Sequence, residues 1–403
     1  MAANLTPVDE AIAQLLSKAP VIAETELLPL TESLGRILAQ DYQVPADVPP
    51  ADNSAVDGYA LRAEDYVHGQ ALSVSGRIPA GSAPGLLQPG TAVRIFTGSE
   101  IPAGADTVIM QERVEVTDNG ILINGEVKAD QNMRRRGHDL AEGSLGLAKG
   151  IKIRPQEMGL LASMGVAEVA VVKKLRVAIL STGDELVEPG VPLGPGQIYN
   201  TNRFTLLGLL AEAGCEVVLC ETLRDTRSAT RETLERAAAA ADLVITSGGV
   251  SVGEEDHVRA VLEESGQLLL WRMAIKPGKP LAFGSIKGTP VFGLPGNPAS
   301  VLVTFLVVGM PYIRTCQGRL RIHPVGQQVP AALNVTSPSA RREFLRARTE
   351  SVDGKVQVTA YTNQSSGALS SACWSDGLAV VPEHAMIAEG DLLTYYPFTE
   401  LLS

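Results

Sequence analysis

Apolar and polar positions follow different periods in different stretches of the chain, and the changes of period divide it into modules. Val8, Ile12, Leu15 and Leu16 recur at helical spacing behind Thr6-Pro7-Val8-Asp9. A hydroxyl cap, a proline in the first turn and an early acid predict a helix start there. At Val44 the texture becomes VPADVPPADN, which punctuates a new module. From about Asp57 to Asp139, short apolar runs broken by Gly and Pro predict β structure. Val114 and Val116 alternate into Asp118-Asn119-Gly120, and Ile121 and Ile123 alternate out, which predicts a hairpin. Between Leu140 and Lys173 the run Met158-Gly-Leu-Leu-Ala restores helical texture. This stretch is expected to pack beside the N-terminal helix, which makes the β module an insertion.

A different pattern starts at residue 174. Arg176-Val-Ala-Ile-Leu-Ser-Thr-Gly is a continuous apolar strand ending in a glycine turn. Asn202 reads as the cap of a helix carrying Leu206, Leu207, Leu209 and Leu210, stopped by Gly214. Then follow a strand at 216–223, an Ala-rich helix at 228–241, a strand at 243–246, a helix at 256–264 and a strand at 268–271. Strands without polar alternation, separated by helices, predict a parallel sheet covered on both faces. Ligands of such sheets sit beyond the carboxyl ends of the strands. The apolar stretch 299–310 is too short to span a bilayer and reads as a buried helix. From about Leu320 the signals are β again, at 344–349, 356–361, 378–381 and 392–396, with a turn at Asp353-Gly354.

The expected architecture is multidomain α/β and β. A three-layer α/β domain with a mostly parallel sheet occupies 174–319, an inserted β-rich domain 44–141, and a small mixed N-terminal domain 1–43 with 142–173. A C-terminal β-barrel or sandwich occupies 320–403. The 403 residues suffice for this division at roughly 100–200 residues per domain.

Composition narrows the function classes. With 34 Lys+Arg against 45 Asp+Glu, the formal charge is −11. That excludes general binding to nucleic acid or an anionic membrane, which needs a cationic surface. Cys215, Cys220, Cys316 and Cys373 are too sparse for a disulfide framework, and the five histidines form no metal-binding spacing. The opening MAANLTPVDE has no basic region followed by an apolar core, so no signal peptide is expected. A reducing cytoplasm is the expected compartment.

Three glycine-rich loops follow strands of the α/β region: Ser181-Thr-Gly183-Asp-Glu185, Ser247-Gly248-Gly249-Val-Ser-Val-Gly253 and Gly293-Leu-Pro-Gly-Asn-Pro298. Glycine lets backbone N–H groups approach an anion closely, and the following helix adds its positive end. Any one loop is more readily a tight structural turn; three on one sheet edge favour anion binding. None matches the P-loop or the dinucleotide fingerprint. Lys276-Pro-Gly-Lys279-Pro280 places two ammonium groups on a stiff loop, suited to a multiply charged anion or to a solvated turn. Asp57, Asp139, Glu185, Asp225 and Asp256 lie in loops beside glycines or charges, where carboxylates beside bound phosphate hold Mg²⁺ or else cap turns. The run Arg134–Arg136 beside Asp139 is a solvated face or one side of an ion pair across a domain or subunit boundary. Arg346 on a predicted strand and the polar loop Ser365-Ser366-Gly367 add further anion chemistry, with a solvent-facing strand arginine as the plainer reading. No GxSxG elbow supports a hydrolase triad.

Together these segments resemble the molybdopterin molybdenumtransferase family, the molybdenum insertases that include bacterial MoeA and the E domain of gephyrin. The resemblance runs through DNSAVDGYA (52–60), RIFTG (94–98), RRRGHD (134–139), STGDEL (181–186), TNR (201–203), SGGVSVGEED (247–256), AIKPGKP (274–280) and GLPGNP (293–298). It implies four domains, a homodimer, and insertion of molybdate into adenylylated molybdopterin with release of AMP, assisted by Mg²⁺. It implies transient contact with an upstream adenylyltransferase and with enzymes that accept the cofactor. Asp57, Thr97, Asp139, Glu185, Asp225 and Asp256 match residues of the family's active cleft, with Glu185, Asp225 and Asp256 as metal ligands. Lys276, Lys279, Arg346 and Ser366 match its anion-binding positions, and Ser181, Gly183, Ser247, Gly248, Gly249 and Pro298 lie on its substrate-binding loops. His138 stands where the family usually has Glu, and the C-terminal module matches weakly. Two other functions compete: a molybdopterin adenylyltransferase built on the same sheet, and a dimeric scaffold that binds partner peptides.

Overall fold

The computed structural model describes residues 5–224, 226–250 and 257–403. Its largest sheet has six strands in the order Glu216–Leu223, Arg176–Thr182, Leu243–Ser247, Thr289–Leu294, Ala282–Ile286 and Gly266–Trp271. The first four pair in parallel and the remaining two pairings are antiparallel, so Ala282–Ile286 alone runs against the other five strands. A fully parallel sheet is thus replaced at one edge by a hairpin. Its two-residue turn, Lys287-Gly288, has φ of +51° and +89°, the backbone that a tight hairpin requires.

Strand Arg176–Thr182 is buried at every position after the first, because helices cover both faces. Val177 and Ile179 join a cluster with Leu206, Leu210 and Val301, while Ala178 and Leu180 join one with Leu234, Val258 and Val261. Phe283, Phe292 and Tyr312 meet edge to face in the first cluster, with ring centroids 4.8 to 5.5 Å apart. The buried helix is longer than its most apolar stretch. It runs continuously over Pro298–Cys316, with a π-helical turn at Phe305–Gly309. It is long and apolar enough to cross a membrane, yet 83% of its most apolar window is enclosed by the protein.

Helix Val8–Leu16 forms as expected, but Thr6 does not cap it. The cap position is Pro7, and Thr6 bridges to Met273 instead. The helix buries Val8, Ala11 and Leu15 in the α/β core. Segment 142–173 therefore does not pack beside it. Strand Glu168–Val172 pairs antiparallel with Thr25–Pro29, and helix Pro155–Ser163 closes a separate core of Leu38, Tyr42, Val44, Leu161, Val169 and Val171.

Between those two stretches lies a four-stranded sheet ordered Ser73–Ile78, Thr91–Ile95, Gly58–Leu61, Thr107–Met110. The hairpin Val114–Thr117 with Gly120–Ile123 turns at Asp118-Asn119. The C-terminal sheet is built on the long strand Arg342–Val352, flanked by Lys355–Ala360 and Gly377–Val381. The short strand Ile275–Lys276 pairs parallel with its start. That pairing carries the lysine loop from the α/β domain onto the C-terminal sheet.

Candidate functional site

The carboxyl ends of strands Arg176–Thr182, Leu243–Ser247 and Thr289–Leu294 open into a cleft of about 740 Å³. Parallel strands end on one edge, so the loops after them must converge there. Thr182 and Glu185 come from the first loop, Ser247 from the second, and Gly296, Asn297 and Pro298 from the third. The second loop needs glycine. Gly248 sits at φ +93°, and a Cβ there would lie 2.6 Å from Thr182 Oγ1.

Asn202 ties these loops together. Its Nδ2 donates to Ser247 Oγ and to the Gly296 carbonyl, both at 2.7 Å. Asn200, not Asn202, caps helix Thr201–Glu212, accepting from the Arg203 N–H. Asn202 is freed to cross the mouth of the sheet. Ser181 lies behind the rim, 1% exposed, its hydroxyl 3.4 Å from Asn200 Oδ1. Gly183, Gly248 and Gly249 belong to the same turns but do not line the cleft. Pro298 opens the buried helix, and the Ala299 N–H donates to the Ser366 carbonyl at 2.9 Å. This bond draws the polar loop of the C-terminal sheet, with Gln364, Ser365 and Ser366, onto the opposite wall.

Three cations reach the cleft: Lys276, Lys279 and Arg341. Lys276 Nζ is 2.8 Å from Glu343 Oε1, whereas Lys279 and Arg341 have no acidic partner among the described residues. The carboxylate of Glu185, the facing acid, has no hydrogen-bonding or ionic partner among them either, its backbone carbonyl alone accepting from Ile198 N–H. An unpaired carboxylate and two unpaired cations around one cavity form a site that a polyanion and a cation complete together.

Arg346 is placed differently from its expected anion-binding role. It is 1% exposed, donates from Nε to Ser371 Oγ and from a terminal nitrogen to the Ser365 carbonyl, both at 3.0 Å, and is absent from the lining. Burial pulls its pKa down to about 10. It holds up the Ser365–Ser366 loop from behind. The cleft-facing arginine is Arg341, five residues earlier, which sequence reasoning missed along with Thr182, Asn202 and Gln364. The quoted motif TNR was the one pointer to Asn202.

Asp57, Thr97 and Asp139 do not line this cleft. They lie on the β-rich stretch around the four-stranded sheet. The Thr97 N–H and hydroxyl both donate to Asp57 Oδ1 at 2.8 Å, and these two bonds hold the Asp57 carboxyl below the usual range. Asp139 is exposed, and its N–H donates to the Val48 carbonyl. The neighbouring arginines do not reach it. Arg135 pairs with Asp52 and Asp130, and Arg136 with Asp47 and Glu142, all within this chain. Asp225 and Asp256 lie outside the described residues. Among the described residues, no group of three or more His, Cys, Asp or Glu is placed to hold a metal by itself.

Comparison with known proteins places this geometry. Residues 6–165 match the family description "MoeA N-terminal region (domain I and II)", 178–315 match "Probable molybdopterin binding domain", and 328–398 match "MoeA C-terminal region (domain IV)". The molybdopterin molybdenumtransferase of Haemophilus influenzae is 42% identical over 399 residues, covering 98% of this chain and 99% of that one. Molybdopterin molybdenumtransferase 2 of Mycobacterium tuberculosis is 37% identical over 388 residues, covering 92% and 95%. A crystal structure of the molybdopterin biosynthesis moeA protein from Pyrococcus horikoshii OT3 superimposes with a TM-score of 0.83 at 33% identity, covering 98% of this chain and all of that one.

Proposed function

Since the chain belongs to the molybdopterin molybdenumtransferase family, a family of transferases that insert molybdenum during molybdenum-cofactor biosynthesis, we propose that its cleft binds molybdate beside adenylylated molybdopterin and releases AMP as the metal is inserted. The observation that carries this reading is the convergence of Lys276, Lys279, Arg341 and Glu185 on one cavity at the carboxyl edge of the sheet. Molybdate is a tetrahedral dianion and the pterin substrate carries a diphosphate. Ammonium, guanidinium and hydroxyl donors match both. The relatives span the inserted region and the C-terminal sheet as well as the α/β domain, so neither an adenylyltransferase nor a scaffold is favoured.

Each side chain then has a task. Lys279 and Arg341 hold the oxyanion, Lys276 shares in it from the stiff loop, and the Ser366 hydroxyl supplies a neutral donor from the far wall. Asn202 keeps the three loops in register, so that substrate atoms meet at fixed separations. The unpaired Glu185 suits Mg²⁺, which commonly takes one or two carboxylates and completes its shell with water and substrate phosphate oxygens. Asp225 and Asp256 are the further ligands the sequence suggests. Mg²⁺ bound there would offset phosphate charge and polarise the phosphoanhydride. Attack of water at phosphorus breaks the phosphoanhydride into AMP and the pterin monophosphate. Attack of a molybdate oxygen at the pterin-side phosphorus would release AMP likewise and leave a molybdate–phosphate linkage that water then cleaves, with no covalent enzyme intermediate in either case.

The dithiolene sulfurs of the substrate, not protein thiols, ligate the molybdenum. Burial pushes both Cys215 and Cys316 up to about 12, so these thiols are protonated at neutral pH.

The working form is a homodimer in this reading. Asp57, Thr97 and Asp139 have no place in the cleft of their own chain. Ile198 and Tyr199 at the cleft, with Val191, Leu193 and Phe204 of the same segment, form an exposed apolar rim. The inserted region of a second copy covers that rim and brings its Asp57 to the cavity. The partition of the chain into 1–43 with 142–173, 44–141, 174–319 and 320–403 belongs to the same proposal.

An assay of AMP formation from adenylylated molybdopterin tests it. AMP release that needs both molybdate and Mg²⁺ is expected. Release just as fast without molybdate overturns the reading.

A further inference from the structure

Three consecutive residues at the start of the C-terminal sheet meet three different partners. Arg341 faces the cleft. Arg342 grips Asp9 of the N-terminal helix through two hydrogen bonds, 2.7 and 2.9 Å. Glu343 takes the Lys276 ammonium. The register explains the last contact, because Ile275 pairs with Arg342 and Lys276 with Glu343 in a parallel ladder. Glu343 is 7% exposed, and Lys276 is the sole side chain bound to its carboxylate among the described residues. A nearly buried carboxylate leaves water at high cost unless it is paired, so Glu343 keeps a firm hold on this one ammonium. The cleft's three cations are therefore unequal. Among the described residues Lys279 and Arg341 meet no carboxylate, while Lys276 is already paired with Glu343.

Resting on the reading of the cleft as an oxyanion site, we propose that Glu343 is a positioning residue that competes with molybdate for Lys276. Its carboxylate occupies one N–H of the ammonium and turns the others toward the cavity. It also limits the attraction that Lys276 exerts on the bound dianion. Removing the negative charge while keeping the side-chain shape releases the full charge of Lys276 to the oxyanion. Shortening the side chain by one methylene releases part of it.

Titration calorimetry with sodium molybdate on the full chain tests this, with circular dichroism as the check on folding. Glu343→Gln should bind molybdate about three- to tenfold more tightly than the unaltered chain, and Glu343→Asp should move in the same direction by less. The gain should vanish when Lys276→Met is added, because the competition acts through that ammonium. A folded Glu343→Gln, or a folded Glu343→Asp if Gln fails to fold, with unchanged or weaker binding overturns the proposal. An equal gain in the Lys276→Met background also overturns it, by assigning the effect to the general field of the carboxylate. If Lys276→Met and Lys279→Ala both bind molybdate as well as the unaltered chain, the oxyanion reading itself falls and the Glu343 proposal falls with it.

Discussion

Arg341 and Arg346 are the same residue type five positions apart, and their surroundings give them opposite duties. Arg341 is half-buried at the cleft with one long contact, 3.4 Å, to the Ile275 carbonyl. Arg346 is enclosed and bound to Ser371 and Ser365. Arg341→Ala should thus weaken molybdate binding about tenfold while leaving the melting temperature within a degree or two. Arg346→Met should cost about 1–3 kcal/mol of stability, because it leaves Ser371 and the Ser365 carbonyl without their donor. Calorimetric melting alongside molybdate titration separates the two, and a swap of phenotypes would refute the assignment. The sequence misled at Arg346 for a physical reason. Strand Arg342–Val352 is covered on both faces over Glu343–Ala347, so no polar alternation marks which side chains reach solvent. Residue type alone reported the chemistry of an arginine and not its direction. Glu185 was easier, since a glycine turn at a strand end leaves it nowhere but the sheet edge.

At the scale of elements, the site depends on loops that other elements hold in place. The second loop folds tightly against the first, with Gly248 close to Thr182. Gly248→Ala should destabilise the protein by about 1–3 kcal/mol, through both the left-handed backbone and the clash. It should also raise KM for the pterin substrate, because Ser247 shifts with the turn. Thermal melting and steady-state kinetics read the two effects, and an Ala variant indistinguishable from the unaltered chain would contradict the packing described. Many elements were legible: the strand Arg176–Thr182, the hairpin at Asp118-Asn119 and four strands of the C-terminal sheet follow from periodicity and turn chemistry, whereas its short strands Ile275–Lys276 and Gln327–Pro330 did not stand out. The antiparallel edge was not legible. Periodicity reports burial, and a buried strand looks the same whichever way its neighbour runs. The cap shift from Asn202 to Asn200 has a similar origin, since both asparagines flank the helix start and only tertiary packing selects between them.

At the scale of the whole molecule, in the proposed dimer one chain supplies the cationic cleft and the other supplies the face with Asp57 and Thr97. Mixed dimers of Asp57→Ala and Glu185→Ala chains should recover about a quarter to a half of the unaltered activity, because one of the two clefts then holds both intact residues. Mixtures as inactive as their parents would contradict a shared cleft. The pairing of Thr25–Pro29 with Glu168–Val172 was not legible, because the returning helical texture pointed to the N-terminal helix as its neighbour and not to a strand. The docking of the N-terminal helix on the α/β core was not legible either, because an amphipathic stripe does not name its partner.

The most direct measurement is the location of molybdate itself. Crystals soaked in sodium molybdate, with data collected across the molybdenum absorption edge, should show an anomalous peak within hydrogen-bonding distance of Lys279 and Arg341. A peak lodged elsewhere, with that cavity vacant at saturating molybdate, would contradict the account.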